Sequence, residues 1–170
     1  MKKLSLFLLL IFSQIAYAQK EIKPGDDASQ YKLKIVTTEK TIKEIPIANL
    51  KDNIIIMQWW DRNCHGSKEN LKSLNAYFKK YGSKISFYAV SNDPLSSIEK
   101  FKEKHDYKFE FCQDEAQLEN KFFPYTAKGH TVIINRKGIC LYHGSFNLNT
   151  TILDTLIVKD QLPIVSQEDP

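Results

Sequence analysis

Apolar residues follow two different patterns along the chain, and together the patterns predict strands alternating with helices. Residues 53–60 form an almost unbroken apolar run, which is typical of a central strand covered on both faces of a sheet. Residues 84–91 repeat that pattern. Between these runs, residues 67–81 predict a helix that ends at Gly82, because apolar side chains recur there at helical spacing. These side chains are Leu71, Leu74, Tyr77, Phe78 and Tyr81.

Shorter patterned segments flank this strand–helix–strand unit. Residues 31–36 and 41–45 predict an N-terminal hairpin, with Pro46 ending its second strand. A second helix is predicted after Asp93, with Asp93 as its N-cap and Pro94 at the first helical position. The remaining predicted elements are a strand at 107–112, a short helix at 114–122, a hairpin at 130–135 and 139–143, and a last helix at 149–158.

The order of these elements predicts an α/β fold with a mixed central sheet flanked by helices. The N-terminal hairpin precedes the core unit, and an additional helix and strand are inserted before the closing hairpin. Neither an internal repeat nor a second domain is visible in the pattern. We expect one domain at residues 31–160, an irregular lead-in at 19–30 and a loose tail at 161–170.

The first eighteen residues have the pattern of an export signal. Lys2 and Lys3 precede an apolar run, and Ala16-Tyr17-Ala18 matches the small-x-small pattern read by signal peptidase. The run is shorter than the ~20 residues that a membrane-spanning helix requires. We therefore expect residues 1–18 to be a signal peptide cleaved after Ala18, which predicts a periplasmic or cell-envelope protein without a membrane span.

The charge of the chain does not indicate nucleic-acid binding. The formal net charge of the whole chain is +4, and loss of Lys2 and Lys3 leaves about +2. The lysines alternate with glutamates on predicted helix faces, which indicates a solvated surface rather than a nucleic-acid site. The sequence contains no phosphate-binding loop, no serine-hydrolase elbow and no pair of carboxylates arranged for catalysis, and it predicts no cofactor.

Cys64 is the first candidate for chemistry. It lies between the predicted strand at 53–60 and the helix near Ser67, where unpaired backbone N–H groups and the helix dipole favour a thiolate. The segment Cys64-His65-Gly66-Ser67 has a hydroxyl where a C-x-x-C pair has its second thiol, so no local disulfide can form. His65 and Arg62 could lower the pKa of Cys64, or each could be a solvated loop side chain.

Cys112 and Cys140 are the two other thiols, and a count of three leaves at least one free. The fold predicts them on opposite sides of the sheet, beyond the ~7 Å Cα separation that a disulfide allows. Both are expected to be small buried side chains.

In order and spacing, the motifs of residues 24–158 resemble a thioredoxin-like domain of the TlpA/ResA (redoxin) group of exported thiol-disulfide oxidoreductases. The similarity includes the apolar strand that ends in Trp59-Trp60, Cys64 four residues later, and the strand end Ser91-Asn92-Asp93. It continues in the hairpin sequence from Thr131 to Gly138, which is similar to the family pattern T-x-x-I-D-x-x-G. The resemblance implies a thioredoxin-like fold, thiol-disulfide chemistry, and protein thiols or disulfides of the cell envelope as partners.

The sequence departs from this family at the residues nearest the expected chemistry. The family pattern W-C-x-x-C becomes Asn63-Cys64-His65-Gly66-Ser67. The position of the family's cis-proline is Gly129, and because a non-proline cis bond costs about 3 kcal/mol, the loop is expected to be built differently. The family's proline helps to hold a partner strand beside the thiol, so its replacement affects substrate docking. The replacement of the second cysteine by Ser67 affects the chemistry.

Three functions therefore remain open. In the first, Cys64 is a monothiol nucleophile, Ser67 occupies the position of the resolving cysteine, and the remaining site-lining residues are Trp60, Arg62, His65, Gly129 and His130. The second is a binding module without catalysis. The third is a copper-handling domain built from Cys64, His65 and His130, although the spacing of a paired-ligand metal motif is missing and no metal site is predicted.

Overall fold

The computed structural model describes residues 22–50, 52–114, 118, 122, 129–145 and 149–161. Residues 159–161 are described without their side chains. The predicted signal peptide, most of the predicted helix at 114–122 and nearly all of the predicted tail lie outside these residues. Within them, no helix is both long and apolar enough to cross a membrane.

The described residues form one mixed sheet with three helices. The strands are β1 (Lys32–Val36), β2 (Ile42–Pro46), β3 (Ile54–Trp59), β4 (Ile85–Ser91), β5 (Glu110–Gln113), β6 (His130–Ile134) and β7 (Cys140–Ser145). The helices are α1 (His65–Tyr81), α2 (Leu95–Lys104) and α3 (Thr150–Gln161), and a short 3₁₀ helix spans Ile47–Leu50.

The strand order is β2-β1-β5-β4-β3-β6-β7. Strands β3, β4 and β5 are parallel neighbours, whereas β6 and β7 on one side and β1 and β2 on the other are joined through antiparallel pairs. The α/β class, the mixed sheet and both hairpins predicted from the sequence are thus confirmed.

The strand β3 lies near the middle of the sheet, and all six of its residues are buried. It pairs with β4 from Ile54 opposite Ile85 to Trp59 opposite Val90, and with β6 on its other side. This confirms the strand expected from the unbroken apolar run, since both faces of β3 are covered. Because β3 is held on both sides, its carboxyl end is a fixed platform for the residues that follow.

The sheet separates two apolar layers. One layer contains the buried aliphatic residues of the three helices, namely Leu71, Leu74, Ile98, Leu153 and Ile157. The other contains Ile47 and Trp59 together with Leu118 and Phe122. The helix α1 therefore lies on one face of the sheet, and Trp59 points to the opposite face.

The starts of α1 and α2 differ from the prediction. The helix α1 begins at His65, and its N-cap is Cys64 itself, in an extended conformation and without a side-chain capping bond. The N-cap of α2 is Pro94, so the prediction that Asp93 caps this helix is wrong. Asp93 is engaged elsewhere, because its carboxylate binds Arg62. The predicted strand at 107–112 is likewise shifted, to Glu110–Gln113.

The described part of the lead-in forms backbone hydrogen bonds with the start of β7 and with the turn before it. Gly25 N–H donates to the Cys140 carbonyl at 2.8 Å, and Cys140 N–H donates to the Asp26 carbonyl at 2.9 Å. A further bond joins Ala28 N–H to the Gly138 carbonyl at 2.8 Å. This segment therefore covers part of the outer edge of β7.

Candidate active site

A tight turn connects the end of β3 to α1. Trp60 N–H donates to the Val90 carbonyl at 2.9 Å, so pairing with β4 continues one residue beyond β3. Asp61 then closes the turn: its carboxylate accepts the Asn63 N–H at 2.7 Å, and its carbonyl accepts the Cys64 N–H at 3.0 Å. The turn delivers Cys64, which is half-buried, to the N-terminus of α1.

The environment of Cys64 favours its thiolate. The pKa of the thiol lies below its ordinary value, and the largest cause is the Ser67 hydroxyl that faces the sulfur. The backbone N–H groups of Ser67 and Gly66 lower the pKa further, whereas partial burial and the negative charge of Asp61 raise it. The expectation that the helix N-terminus favours the thiolate agrees with this geometry.

Ser67 occupies the position of a second thiol, and its side chain is almost completely buried, with 1% of its surface exposed. No described residue gives the hydroxyl oxygen a hydrogen bond of normal geometry. A hydroxyl that faces the sulfur donates a stronger hydrogen bond to the thiolate than to the thiol, because hydrogen bonds to charged acceptors are stronger. Among the described residues the Ser67 hydroxyl has no other partner, so the Cys64 sulfur is the acceptor available to it.

Neither Arg62 nor His65 accounts for the lowered pKa of Cys64. The guanidinium of Arg62 points to the start of α2, where Nη1 donates to Ser97 Oγ at 2.7 Å and Nε lies 3.5 Å from Asp93 Oδ1. His65 is exposed on the first turn of α1. Of the two alternatives drawn from the sequence, Arg62 is thus an anchored side chain and His65 is a solvated one.

Gly129 precedes β6 and lies against α1. Its φ of +87° belongs to the left-handed region that favours glycine, and a Cβ there would come within 3.4 Å of Asn70 Nδ2. A proline, whose ring fixes φ near −65°, cannot adopt this backbone conformation. Gly129 itself therefore does not reproduce the backbone of the family's proline.

His130 does not approach Cys64 in the way that a metal site would require. It shares a sheet face with Val132, which packs in the same layer as Trp59, whereas α1 packs against the other face. Burial, together with the neighbouring charge of His143, lowers the pKa of His130, so its imidazole is held neutral. The described residues contain no group of three ligands suited to a metal ion.

A cavity of about 200 Å³ opens beside the Cys64 turn, at the carboxyl ends of β3 and β4. It is lined by Trp59, Trp60, Asp61, Ser91, Asn92, Asp93 and Gly129. Ligands of open α/β sheets bind outside the carboxyl ends of the parallel strands. Of the five residues expected to line the site, Trp60 and Gly129 line this cavity, whereas Arg62, His65 and His130 do not. Asp61 and Asn92 were not expected, although their positions just after two adjacent parallel strands could have indicated them.

Both tryptophans are fixed by contacts on opposite faces of the sheet. The Trp60 ring packs 4.4 Å from Phe101 and 5.7 Å from Phe111, measured between ring centroids. On the other face, Trp59 Nε1 donates to Asp114 Oδ2 at 3.2 Å. The walls of the cavity are therefore rigid.

The other two thiols are free and buried, and they are distant from each other. Cys112 is on β5 and Cys140 is on β7, four strands apart, which is roughly 19 Å at the usual spacing of strands. This confirms that they form no disulfide. Burial raises the pKa of Cys140 to about 11 and raises that of Cys112 still further. Neither side chain is a nucleophile near neutral pH.

Comparison with solved structures gives the fold independently. A protein of Bacteroides vulgatus, provisionally described as a thiol-disulfide oxidoreductase, is 19% identical with a TM-score of 0.66, over 81% of this chain and 96% of its own. A protein of Chlorobium tepidum, provisionally described as thiol:disulfide interchange protein DsbE, is 15% identical with a TM-score of 0.65, over 82% and 99%. The exposed lipoprotein thioredoxin of Streptococcus pneumoniae is 12% identical with a TM-score of 0.62, over 76% and 98%. These likenesses show a thioredoxin-like fold.

Sequence comparison gives the family. No curated protein matches this sequence. Residues 24–143, however, match the AhpC/TSA family, and this range includes every strand from β1 to β6, the turn with Cys64 and most of β7. The chain is therefore a thioredoxin-like redoxin domain that belongs to the AhpC/TSA family.

Proposed function

We propose that this protein is an exported monothiol thiol-disulfide exchange protein whose nucleophile is Cys64. The observation that carries the proposal is the position of Cys64 as the N-cap of α1, where the backbone N–H groups of Gly66 and Ser67 and the buried Ser67 hydroxyl favour its thiolate and lower its pKa. A thiolate, rather than a thiol, attacks disulfides. The other described thiols are buried with raised pKa values, so the chemistry rests on Cys64 alone.

The reaction consists of two exchanges. In the first, the Cys64 thiolate attacks one sulfur of a disulfide R–S–S–R′, forms a Cys64–S–S–R bond, and expels R′S⁻, which takes a proton from solvent. In the second, a thiol of another molecule loses its proton to solvent, and the resulting thiolate attacks the sulfur of R, forming a new disulfide with R and releasing the Cys64 thiolate. Ser67 cannot carry out this second attack, because an alcohol is not a sulfur nucleophile.

The proposed partners are protein thiols or disulfides of the cell envelope, and no cofactor is required. The pattern of residues 1–18 supports export, and the structural relatives described as interchange and lipoprotein proteins support an envelope location. The N-terminus of the exported protein tests the signal assignment. When the full chain is expressed, mass spectrometry of the exported protein should find Gln19 as the first residue. An N-terminus at Met1 in secreted material would contradict the signal assignment.

Trapping tests the exchange chemistry. The protein is incubated with an envelope extract, quenched with acid and separated without reductant, and the molecules linked to Cys64 are identified by mass spectrometry. Without an internal resolving thiol, mixed disulfides should persist. Cys64→Ala should abolish every adduct, while the matched control with Cys112→Ala and Cys140→Ala should keep them all.

Two outcomes would reject the exchange function. Adducts that remain in Cys64→Ala would show that another thiol reacts. If Cys64 is recovered as a free thiol that alkylates at an ordinary rate, a binding module without catalysis becomes the better description of the protein.

A further inference from the structure

We propose that Arg62 and Asp93 are positioning residues that hold the turn carrying Cys64 in its thiolate-stabilising geometry. This inference rests on the proposed function, since it concerns how the Cys64 thiolate is maintained. Neither side chain is among the groups that directly lower the pKa of Cys64. Their effect is exerted through the backbone of the turn.

Arg62 links the turn to the segment between β4 and α2 by three contacts. Its backbone N–H donates to Asp93 Oδ2 at 3.3 Å, its Nε lies 3.5 Å from Asp93 Oδ1, and its Nη1 donates to Ser97 Oγ at 2.7 Å. The bonds that Asp61 makes to Asn63 and Cys64 are local to the turn. The Arg62 contacts instead reach residues that are 31 and 35 positions away in the chain.

Asp93 is itself held by two neighbouring strands. Its backbone N–H donates to Ser91 Oγ, at the end of β4, at 3.1 Å. Its carbonyl accepts a hydrogen bond of 3.3 Å from Nε2 of Gln113, the last residue of β5. Its side chain is only 14% exposed. The anchor for Arg62 is therefore part of the rigid sheet rather than of a free loop.

Arg62 is two residues before Cys64, so its backbone position determines where α1 begins. The N–H groups of Gly66 and Ser67 and the Ser67 hydroxyl lower the Cys64 pKa only while they face the sulfur. If the turn is released, these donors and the sulfur sample other orientations. The pKa of Cys64 should then move up toward that of an ordinary thiol.

The opposite charges of the pair make this mechanism distinguishable from a direct electrostatic effect. If charge alone mattered, removing the positive Arg62 would raise the pKa of Cys64, and removing the negative Asp93 would lower it. If the pair positions the turn, either removal raises the pKa. The sign of the shift in the Asp93 variant therefore decides between them.

The experiment measures the pH dependence of Cys64 alkylation by iodoacetamide in the full chain, with adducts assigned by mass spectrometry. Arg62→Ala and Asp93→Asn should each raise the midpoint by about half a pH unit or more, and the double variant should equal either single one. Glu103→Gln is the matched charge control, because Glu103 pairs with exposed Lys40 at 2.9 Å near the C-terminus of α2, the opposite end from Ser97, and does not shift the pKa of Cys64. It should leave the midpoint unchanged.

Opposite shifts in the two single variants, or no shift in either, would overturn the positioning role. Arg62→Lys provides a second test that does not depend on charge: one ammonium cannot make all the guanidinium contacts, so its midpoint should lie between those of wild type and Arg62→Ala. A wild-type protein with an ordinary Cys64 midpoint and no trapped partner would reject the proposed function itself. A low wild-type midpoint that the variants leave unchanged would reject only the inference about Arg62 and Asp93.

Discussion

The variant Thr131→Val tests the polar contact at the centre of the sheet, next to the candidate site. Thr131 Oγ1 on β6 donates to Gln58 Oε1 on β3 at 2.6 Å. Both residues have no exposed surface. The Gln58 amide is fixed in this orientation, because its Nε2 donates to the Trp59 carbonyl at 2.9 Å. Valine keeps the shape of threonine but cannot donate, so it leaves the Gln58 oxygen buried without a hydrogen bond.

The expected loss of unfolding free energy is about 1–3 kcal/mol, which is the usual cost of one buried polar group left unsatisfied. In a domain of this size, each kcal/mol lowers Tm by roughly 3–5 °C. The matched control is Thr41→Val. Thr41 lies opposite Thr37 in an exposed hydroxyl pair at 2.8 Å, where water replaces the lost bond, and its cost should stay within about 0.5 kcal/mol.

Urea unfolding measures both variants, followed by the fluorescence of the buried Trp59 and Trp60 and by far-UV circular dichroism. The Thr131→Val midpoint should fall with an unchanged dependence on urea concentration. The reasoning would be refuted if Thr131→Val lost no more stability than Thr41→Val. It would also be refuted if the two optical signals no longer coincided, since the effect would then not be that of one hydrogen bond in a two-state protein.

Three further predictions concern the site and the thiols. Ser67→Ala should raise the pH at which Cys64 alkylates, because reactivity rises with pH through the folded-state pKa and the main group that lowers that pKa is removed. Stability, measured by urea unfolding, should change little, since within the described part of the chain the hydroxyl has no other partner. Cys112 and Cys140 should resist alkylation at pH 8 in the folded protein and react in urea, as quantified by peptide mass spectrometry; labelling of either without denaturant would contradict their burial. Gly129→Ala should cost about 1–2 kcal/mol in urea unfolding because of its φ of +87°, and an unchanged midpoint would show that the loop adopts another conformation.

The elements that the sequence predicted well are those whose burial determines their pattern. The runs at β3 and β4 are mostly apolar because both faces of the sheet are covered there, so pattern and structure agree. The helix α1 was predicted from its buried stripe, including Leu71 and Leu74, for the same reason. Burial leaves a periodic signal that can be read without knowing which segments are neighbours.

Helix starts were predicted less well, because capping depends on what else a polar side chain can bind. Asp93 followed by Pro94 has the composition of a helix start, but its carboxylate is occupied by Arg62, and Pro94 becomes the N-cap. At α1, Cys64 is the N-cap although cysteine is not a favoured capping residue. Here tertiary contacts outweigh local preference.

Polar contacts between distant segments could not be predicted. A glutamine within an apolar strand is visible in the sequence, but its partner Thr131 follows only from the register of β3 against β6. The face on which His130 lies follows from the same register, and it removes His130 from the proposed metal cluster with Cys64. The candidate nucleophile was visible from sequence position, whereas the groups that tune it required the packed structure.

The isolation of the three thiols determines which chemical form an oxidised copy of this protein can have. Cys112 and Cys140 are buried on separate strands, and Ser67 stands where a nearby thiol would be. A protein with a C-x-x-C pair is oxidised by two electrons when it forms an internal disulfide, and its mass changes only by the loss of two hydrogen atoms. If Cys64 exchanges disulfides as proposed, each oxidised copy of this protein instead has a second molecule bound through Cys64, and the added mass identifies that molecule.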